Sequence, residues 1–544
     1  MTFSIDQNCH SLWDVAPKCQ ALTAGGFRVR HFVEDIDVAF TALGSPQADG
    51  RPLRLARERY HHSGGADWGA ALFYSQFLGR LPVEVRQWEP FTGLKTAVLA
   101  RQLGRTVEDL YAEFSPGDTW QLIGASYVGD RRHHRLIADL TVAETSEFLR
   151  QIMDKARADM LGCFPQSAAH QRIEAWFAAE SARLKQLLAD HAGGRLVDLY
   201  RAWLGQLLDD GKNVEVDLVS SLVTLSADSP AAALLEIFCA HYARAVELYN
   251  QAVQQTAVSV NPLDAEAGEL PFFVTLAYQG HRVRTDVHYR DGALQVADAS
   301  FPLAGGRLPL EALRAVGVAG LAGKALLLPI QVRWGPAGAE LALPYRGSAY
   351  MPAAQQLIGL WRREGLLNGQ VRPLVRVRFH LLDRMKSLDT VIRLPAHLAA
   401  CFDAAEIPAR ELGRRWADLA RQAQERLTQF KTDEGRLAWQ RHSFPVLVAE
   451  MDRLEARRRD LAAREPKSPA IREVWQQLKT LRRDLPDSTL RQIALDWQVA
   501  DIDYWDSRGA IWPWCVALGG QEFYNQVVAG AKIYRQEPPG GEQT

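Results

Sequence analysis

The segment from Pro271 to Tyr289 constrains the fold more than any other part of this chain. Val283, Thr285, Val287 and Tyr289 alternate with Arg282, Arg284, Asp286 and His288. A period of two is the signature of a sheet with one solvated face. Gln279-Gly280 and Asp291-Gly292 are tight-turn signals at its borders. Residues 271–277 and 281–289 are therefore predicted as adjacent strands. Residues 325–333 and 339–345 read as another hairpin across 335–338, 308–316 and 352–364 as helices, and 371–382 as a further strand. Most of these links are too short for parallel crossovers, so 268–395 is expected to be an α+β unit with a mostly antiparallel sheet.

The flanks read differently. Residues 92–114 form a helix pair. Residues 120–127 and 133–140 look like strands joined at Gly129-Asp130. Thr141 and Glu144 make a capping box that opens a helix to about Leu161. Residues 168–255 are mostly helical, and Ser229-Pro230 is a cap followed by proline at the first helical position. Near the C-terminus Leu447, Met451, Leu454, Arg458 and Leu461 form one heptad seam. Ile471, Val474, Leu478, Leu481 and Leu485 form another, beyond Pro466 and Pro469.

The expected class is an α+β multidomain chain. It has a helical N-terminal half with a β-hairpin, a central mostly antiparallel sheet unit, and a helical C-terminal third with an antiparallel coiled-coil-like hairpin. At 544 residues the chain is too long for one ordinary core. The expected divisions are a mixed α/β region over 1–165, a helical region over 166–260, the sheet domain over 268–395, and a helical region over 400–535. That last region carries the hairpin at 446–485, and a disordered tail covers 536–544.

A formal net charge of -1 gives no electrostatic reason to expect bulk nucleic acid as a partner. No apolar run is long enough to span a bilayer, so no membrane partner is expected. The N-terminus lacks the basic-then-apolar pattern of a signal peptide. Six cysteines without a CxxC pair argue against a zinc ribbon or a disulfide framework, so the expected compartment is cytoplasmic.

Polar chemistry is concentrated in Tyr60-His61-His62-Ser63-Gly64-Gly65-Ala66-Asp67. It precedes an apolar helical stretch, so the Gly64 and Gly65 amides could cradle an anion at a helix N-terminus. His61 or His62 would serve as acid–base group, Ser63 as a ligand contact, and Asp67 as orienter. The second cluster is Arg131, His133, His134 and Arg135. One histidine of that pair would complete the site, and Arg131 or Arg135 would neutralise a bound anion. The plain alternative is a cap, a turn and an exposed basic hairpin. No spacing supports a metal site, and no cofactor is indicated.

Three further patterns have bland readings beside functional ones. Ala100, Gly104 and Leu110 carry the spacing of a helix-turn-helix, which chance also produces in helix pairs. Arg376, Arg378 and His380 would share a strand face next to Tyr345-Arg346-Gly347-Ser348, as an anion site or as a solvated face. Trp497, Tyr504, Trp505, Trp512, Trp514, Phe523 and Tyr524 read as core more readily than as a stacking surface. The motifs GxSxG, GxGxxG and HExxH are absent. The order of helical part, sheet unit and helical hairpin resembles that of bacillithiol-forming cysteine ligases. That family's N-terminal glycine–glutamine motif is missing here, and no residue is carried over.

The functional expectation is a soluble enzyme acting on a small anionic or phosphorylated substrate. Two other readings stand beside it. One is a non-catalytic scaffold, working as a homodimer or with a protein partner through the helical hairpin. The other is a nucleic-acid binder through residues 92–114.

Overall fold

A computed structural model describes residues 1–5, 12–38, 54–59, 77–81, 85–114, 118–123, 127–128, 130–208, 213–256, 258, 260–348 and 350–539. Its organising element is a six-stranded sheet. The strands, in chain order, are β1 (Thr2–Ile5), β2 (Val29–Val33), β3 (Val214–Leu218), β4 (Glu340–Pro344), β5 (Leu374–Arg378) and β6 (Lys532–Gln536). Their spatial order is β3-β2-β1-β4-β5-β6. The first five are mutually parallel, and β6 closes the edge antiparallel to β5.

Alternation along these short strands sends side chains to two cores. Val29, Val33, Ala342, Val375 and Val377 join one core. It is built with helices α1 (Leu12–Ala24), α2 (Val142–Cys163), α3 (Ser167–Asp190) and α4 (Leu196–Leu207). Ile5, Phe32, Leu341, Leu343 and Leu374 join the other. There they meet α5 (Pro230–Ala240), α6 (Tyr242–Thr256) and α7 (Met351–Arg363). The same core takes in an antiparallel sheet that includes strands Glu269–Tyr278, His281–Arg290 and Val318–Gly323.

The alternating segment is a strand, His281–Arg290, with Val283 and Val287 fully buried. The Thr141–Glu144 capping box is present with both reciprocal bonds. Three features differ from expectation. Residues 327–333 are a helix, not the first arm of a hairpin, and all seven are buried. The 340–344 and 374–378 strands lie outside the antiparallel sheet: 340–344 pairs in parallel with the N-terminal strand β1, and 374–378 pairs in parallel with 340–344. The central sheet thus crosses the boundary drawn at residue 268. Residues 532–536, expected to be helical up to 535, are the last strand of that sheet.

The C-terminal third contains α8 (Ala409–Phe430), α9 (Pro445–Arg464), α10 (Pro469–Ala500) and α11 (Ile511–Ala529). The first core takes in Trp505, Trp514, Phe523 and Tyr524, with Trp512 and Tyr504 packed against it. Helices α9 and α10 pack through a small cluster, Leu454, Val474 and Leu478, with Leu461 and Leu481 partly buried beside it. With so few fully buried side chains, Leu478→Ala should cost about 2–5 kcal/mol of hairpin stability. Amide exchange along α9 and the first half of α10 should accelerate accordingly. Unchanged protection there would mean the hairpin does not depend on this cluster.

Candidate functional site

An open, mainly parallel sheet binds ligands where its strand order reverses, outside the carboxyl ends of the strands. Here the reversal lies between β1 and β4, and the groups at that edge can be read strand by strand. After β1 the chain enters residues 6–11, outside the described residues. After β2 comes Glu34-Asp35-Ile36-Asp37. Glu34 and Asp35 are buried, at 4% and 0% exposure. After β4 comes Tyr345-Arg346-Gly347-Ser348, which leads to Tyr350 at the start of α7.

Glu34 Oε1 accepts the backbone N–H groups of Ile36 (2.8 Å) and Asp37 (3.1 Å), so its carboxyl folds the turn that follows β2. Burial raises its pKa well above the usual carboxylate range. The neighbouring Asp37 and Asp35 charges push the same way, against its backbone hydrogen bond from Ile36 and the positive Arg284. Asp35 Oδ1 accepts the Ser220 amide at 2.8 Å, joining the ends of β2 and β3. Its other oxygen has no hydrogen-bond partner among the described residues, and burial raises this carboxyl too. Asp37 takes an ion pair from Arg284 at 2.5 Å.

Across the reversal, burial raises the Tyr350 phenol. A hydrogen bond with Ser348 opposes this, the Asp37 and Glu34 carboxylates add to it, and Arg508 lowers it. Two carboxyls, a phenol, a hydroxyl and a guanidinium therefore share one electrostatic neighbourhood at the start of α7.

The loop after β4 is clamped. Arg376, 7% exposed, donates to the carbonyls of Pro344 (3.1 Å) and Gly347 (2.6 Å). Arg346 pairs with Asp501 and Asp503, and Arg378 with Asp503 and Asp506. The guanidinium of Arg376 is thus occupied by backbone carbonyls, and that of Arg378 is neutralised by carboxylates. His380 lies past the strand end in left-handed backbone at φ 55°.

The sequence candidates fall in different places. His61, His62, Ser63, Gly64, Gly65 and Asp67 lie outside the described residues. Arg131, His133, His134 and Arg135 lie on the strand Asp130–Arg135. His133 is 1% exposed and stacks on the Tyr278 ring at 3.8 Å. His134 is half-buried; burial lowers its pKa, and the Arg284 charge adds to that. Arg135 is held by Asp139 (2.5 Å) and Glu144 (2.9 Å). The connection from this strand to the sheet reversal runs through Arg284, which lies opposite His134 in the sheet and pairs with Asp37.

Among the described residues, no three histidine, cysteine, aspartate or glutamate side chains are grouped to hold a metal ion. No helix there is long and apolar enough to cross a membrane. In the helix pair at 96–114, the solvent-facing positions of the second helix include Glu108 and Asp109.

The carboxylates after β2 were missed in the sequence. The available signal was the run Val29-Arg30-His31-Phe32-Val33, with three apolar residues, closed by Glu34 and Asp35. No protein-family model, curated protein or solved structure matches this chain.

Proposed function

We propose that this protein is an enzyme acting on a small anionic or phosphorylated substrate bound where the central sheet reverses its strand order. The observation that carries the reading is the buried Glu34 carboxyl beside Asp37 and Tyr350 at that edge. A carboxyl raised by burial and like charge is suited to keep a proton that an ordinary carboxylate would have released, and to pass it to a bound substrate. In this reading Glu34 is the acid–base group and Asp37 receives a substrate hydroxyl or amine. The anionic end lies at the N-terminus of α7, with Ser348 and Arg508. The 60–67 segment, with His61 or His62 as a further acid–base group and the Gly64 and Gly65 amides as an anion cradle, belongs to the same proposal. So does a cytoplasmic setting, supported by the free cysteines among the described residues.

The test is thermal stability against sugar phosphates, nucleotides and amino acids, followed by turnover of whatever binds. Ligand at about 100 times its Kd should stabilise the protein by about 2.7 kcal/mol. Glu34→Gln should keep the fold and lower turnover by about a hundredfold or more. His62→Ala is the parallel variant. Wild-type turnover in Glu34→Gln would remove Glu34 as the acid–base group.

A second reading is a scaffold working through α9 and α10 as an antiparallel coiled-coil-like arm, for a second copy or a protein partner. It is favoured by Val446 and Trp475, 82% and 42% exposed on these helices.

A further inference from the structure

A cavity of about 810 Å³ is built from none of the residues at the strand reversal. One wall comes from the residues around the short helix Glu89–Thr92 and from Trp497 on α10. This wall packs on a small core that includes Val85, Trp88, Leu99 and Leu490. The other wall is the segment after α6, where Val258 and Val260 pack against the second core of the central sheet. Lys431, the residue that follows α8, stands at the same cavity.

Two observations set the body of the ligand it can hold. Phe91, Leu94, Val258, Val260 and Trp497 all line it, and each is only half-buried. An apolar guest takes such surface out of water on both walls at once. Phe91 and Trp497 also meet edge to face, with ring centroids 5.8 Å and planes 70° apart. Two rings at that angle form a corner. A third ring placed there can meet one by its edge and the other by its face, the arrangements that aromatic quadrupoles favour. The volume lies within the usual range for small-molecule sites.

A third observation sets the charge. Arg86, Glu89, Lys95 and Lys431 also line the cavity, three cations to one anion. Glu89 is already committed. Its Oε1 accepts the Thr96 amide (2.8 Å) and hydroxyl (3.0 Å), and its Oε2 pairs with Lys95 at 2.8 Å. Lys431 has no such carboxylate among the described residues; its exposed ammonium stands over the Phe91 ring, 5.7 Å from the centroid. An ammonium held over an aromatic floor is placed to pair with an anion whose apolar part lies on the same floor. A cationic guest would meet a surplus of like charge, and a bare phosphate would leave the apolar walls uncovered.

We propose that this cavity is a second ligand site, for a small carboxylate with an apolar, ring-bearing body, of the class of the arylalkanoic acids. The carboxylate pairs with the Lys431 ammonium. The ring rests in the corner of Phe91 and Trp497, and Leu94, Val258 and Val260 cover the rest of the body. The assignment is independent of the site at the strand reversal.

Titration calorimetry of the full chain with naphthylacetate tests it, with acetate and naphthylethanol as separate arms. The acid should bind more tightly than either the bare carboxylate or the uncharged alcohol of the same ring. Lys431→Gln, a change at an exposed side chain, should weaken the acid about tenfold, the loss of a charge-assisted contact, and leave the alcohol as it was. Phe91→Leu should weaken acid and alcohol alike, severalfold. Val260→Asp, which adds a carboxylate to the wall, should weaken the acid more than the alcohol. Glu34→Gln should leave every affinity unchanged. No binding of the acid at millimolar concentration would overturn the proposal. So would equal affinity for acid and alcohol, or wild-type affinity for the acid in Lys431→Gln. Wild-type affinity in both Phe91→Leu and Val260→Asp would place the binding elsewhere and overturn it too.

Discussion

Replacing Glu180 by alanine should cost about 3–5 kcal/mol, the range expected when one member of a buried charged network is removed. Glu180 lies on α3 at 3% exposure. Its Oε2 accepts the indole N–H groups of both Trp13 and Trp203, each at 3.2 Å. Arg183, one turn on, supplies the compensating charge. Both indoles are fully buried, one on α1 and the other on α4, so one carboxylate ties three helices together. Glu180→Gln keeps an acceptor in the same place and should lose at most about half as much, since a neutral hydrogen bond is weaker than a charged one. Denaturant unfolding followed by tryptophan fluorescence separates the outcomes. A loss in Glu180→Ala no greater than an ordinary surface substitution would show that the indoles find other acceptors.

Stability should also fall as pH rises from about 4 to 7, with Asp506 a principal cause. Its carboxyl is 2% exposed, and burial raises it from 3.8 to about 7 despite the opposing Arg378 guanidinium. In the unfolded chain it ionises near its ordinary value. Between these limits the native state holds a proton that the unfolded chain has released. The contribution is therefore fully present at the acid end, declines through the window and levels off above about 7. Roughly three pKa units set a ceiling of about 4 kcal/mol. Asp506→Asn should flatten the profile. Some slope of the same sign should remain from Glu34, Asp35, Asp496 and Asp501, all raised by burial. His397, lowered to about 4 by burial, acts in the opposite sense between that value and its ordinary 6.5. An unaltered profile in Asp506→Asn would show that this carboxyl does not titrate in the window.

Local chemistry was the readable part of the chain. The alternation at 281–290 needs only its own neighbours to be recognised, and so does the Thr141–Glu144 box. The central sheet was not readable because β2 pairs with β3 across the whole α2–α4 insertion, and β1 with β4 across more than half the chain. Strands of four or five residues carry no periodicity long enough to separate them from loops. Residues 327–333 were misread because a helix buried on all sides looks like an apolar strand. Neighbours on a strand point to opposite faces, and of the adjacent His133 and His134 one is stacked in the interior while the other is half-buried. The acids after β2 went unnoticed because no glycine-rich phosphate loop marked the fold around them.

The wide separation of neighbouring strands bears on how the protein is made. On a ribosome, β1 emerges well before one of its two neighbours, β4, has been translated. At ordinary elongation rates that wait lasts on the order of tens of seconds. The far edge stays open longer still, because β6 belongs to the last stretch of the described chain. Throughout synthesis the nascent chain carries unpaired strand edges and apolar faces that nothing yet covers. Yield in a host should therefore respond to holding chaperones and to slower growth temperature more than to any gain in native stability.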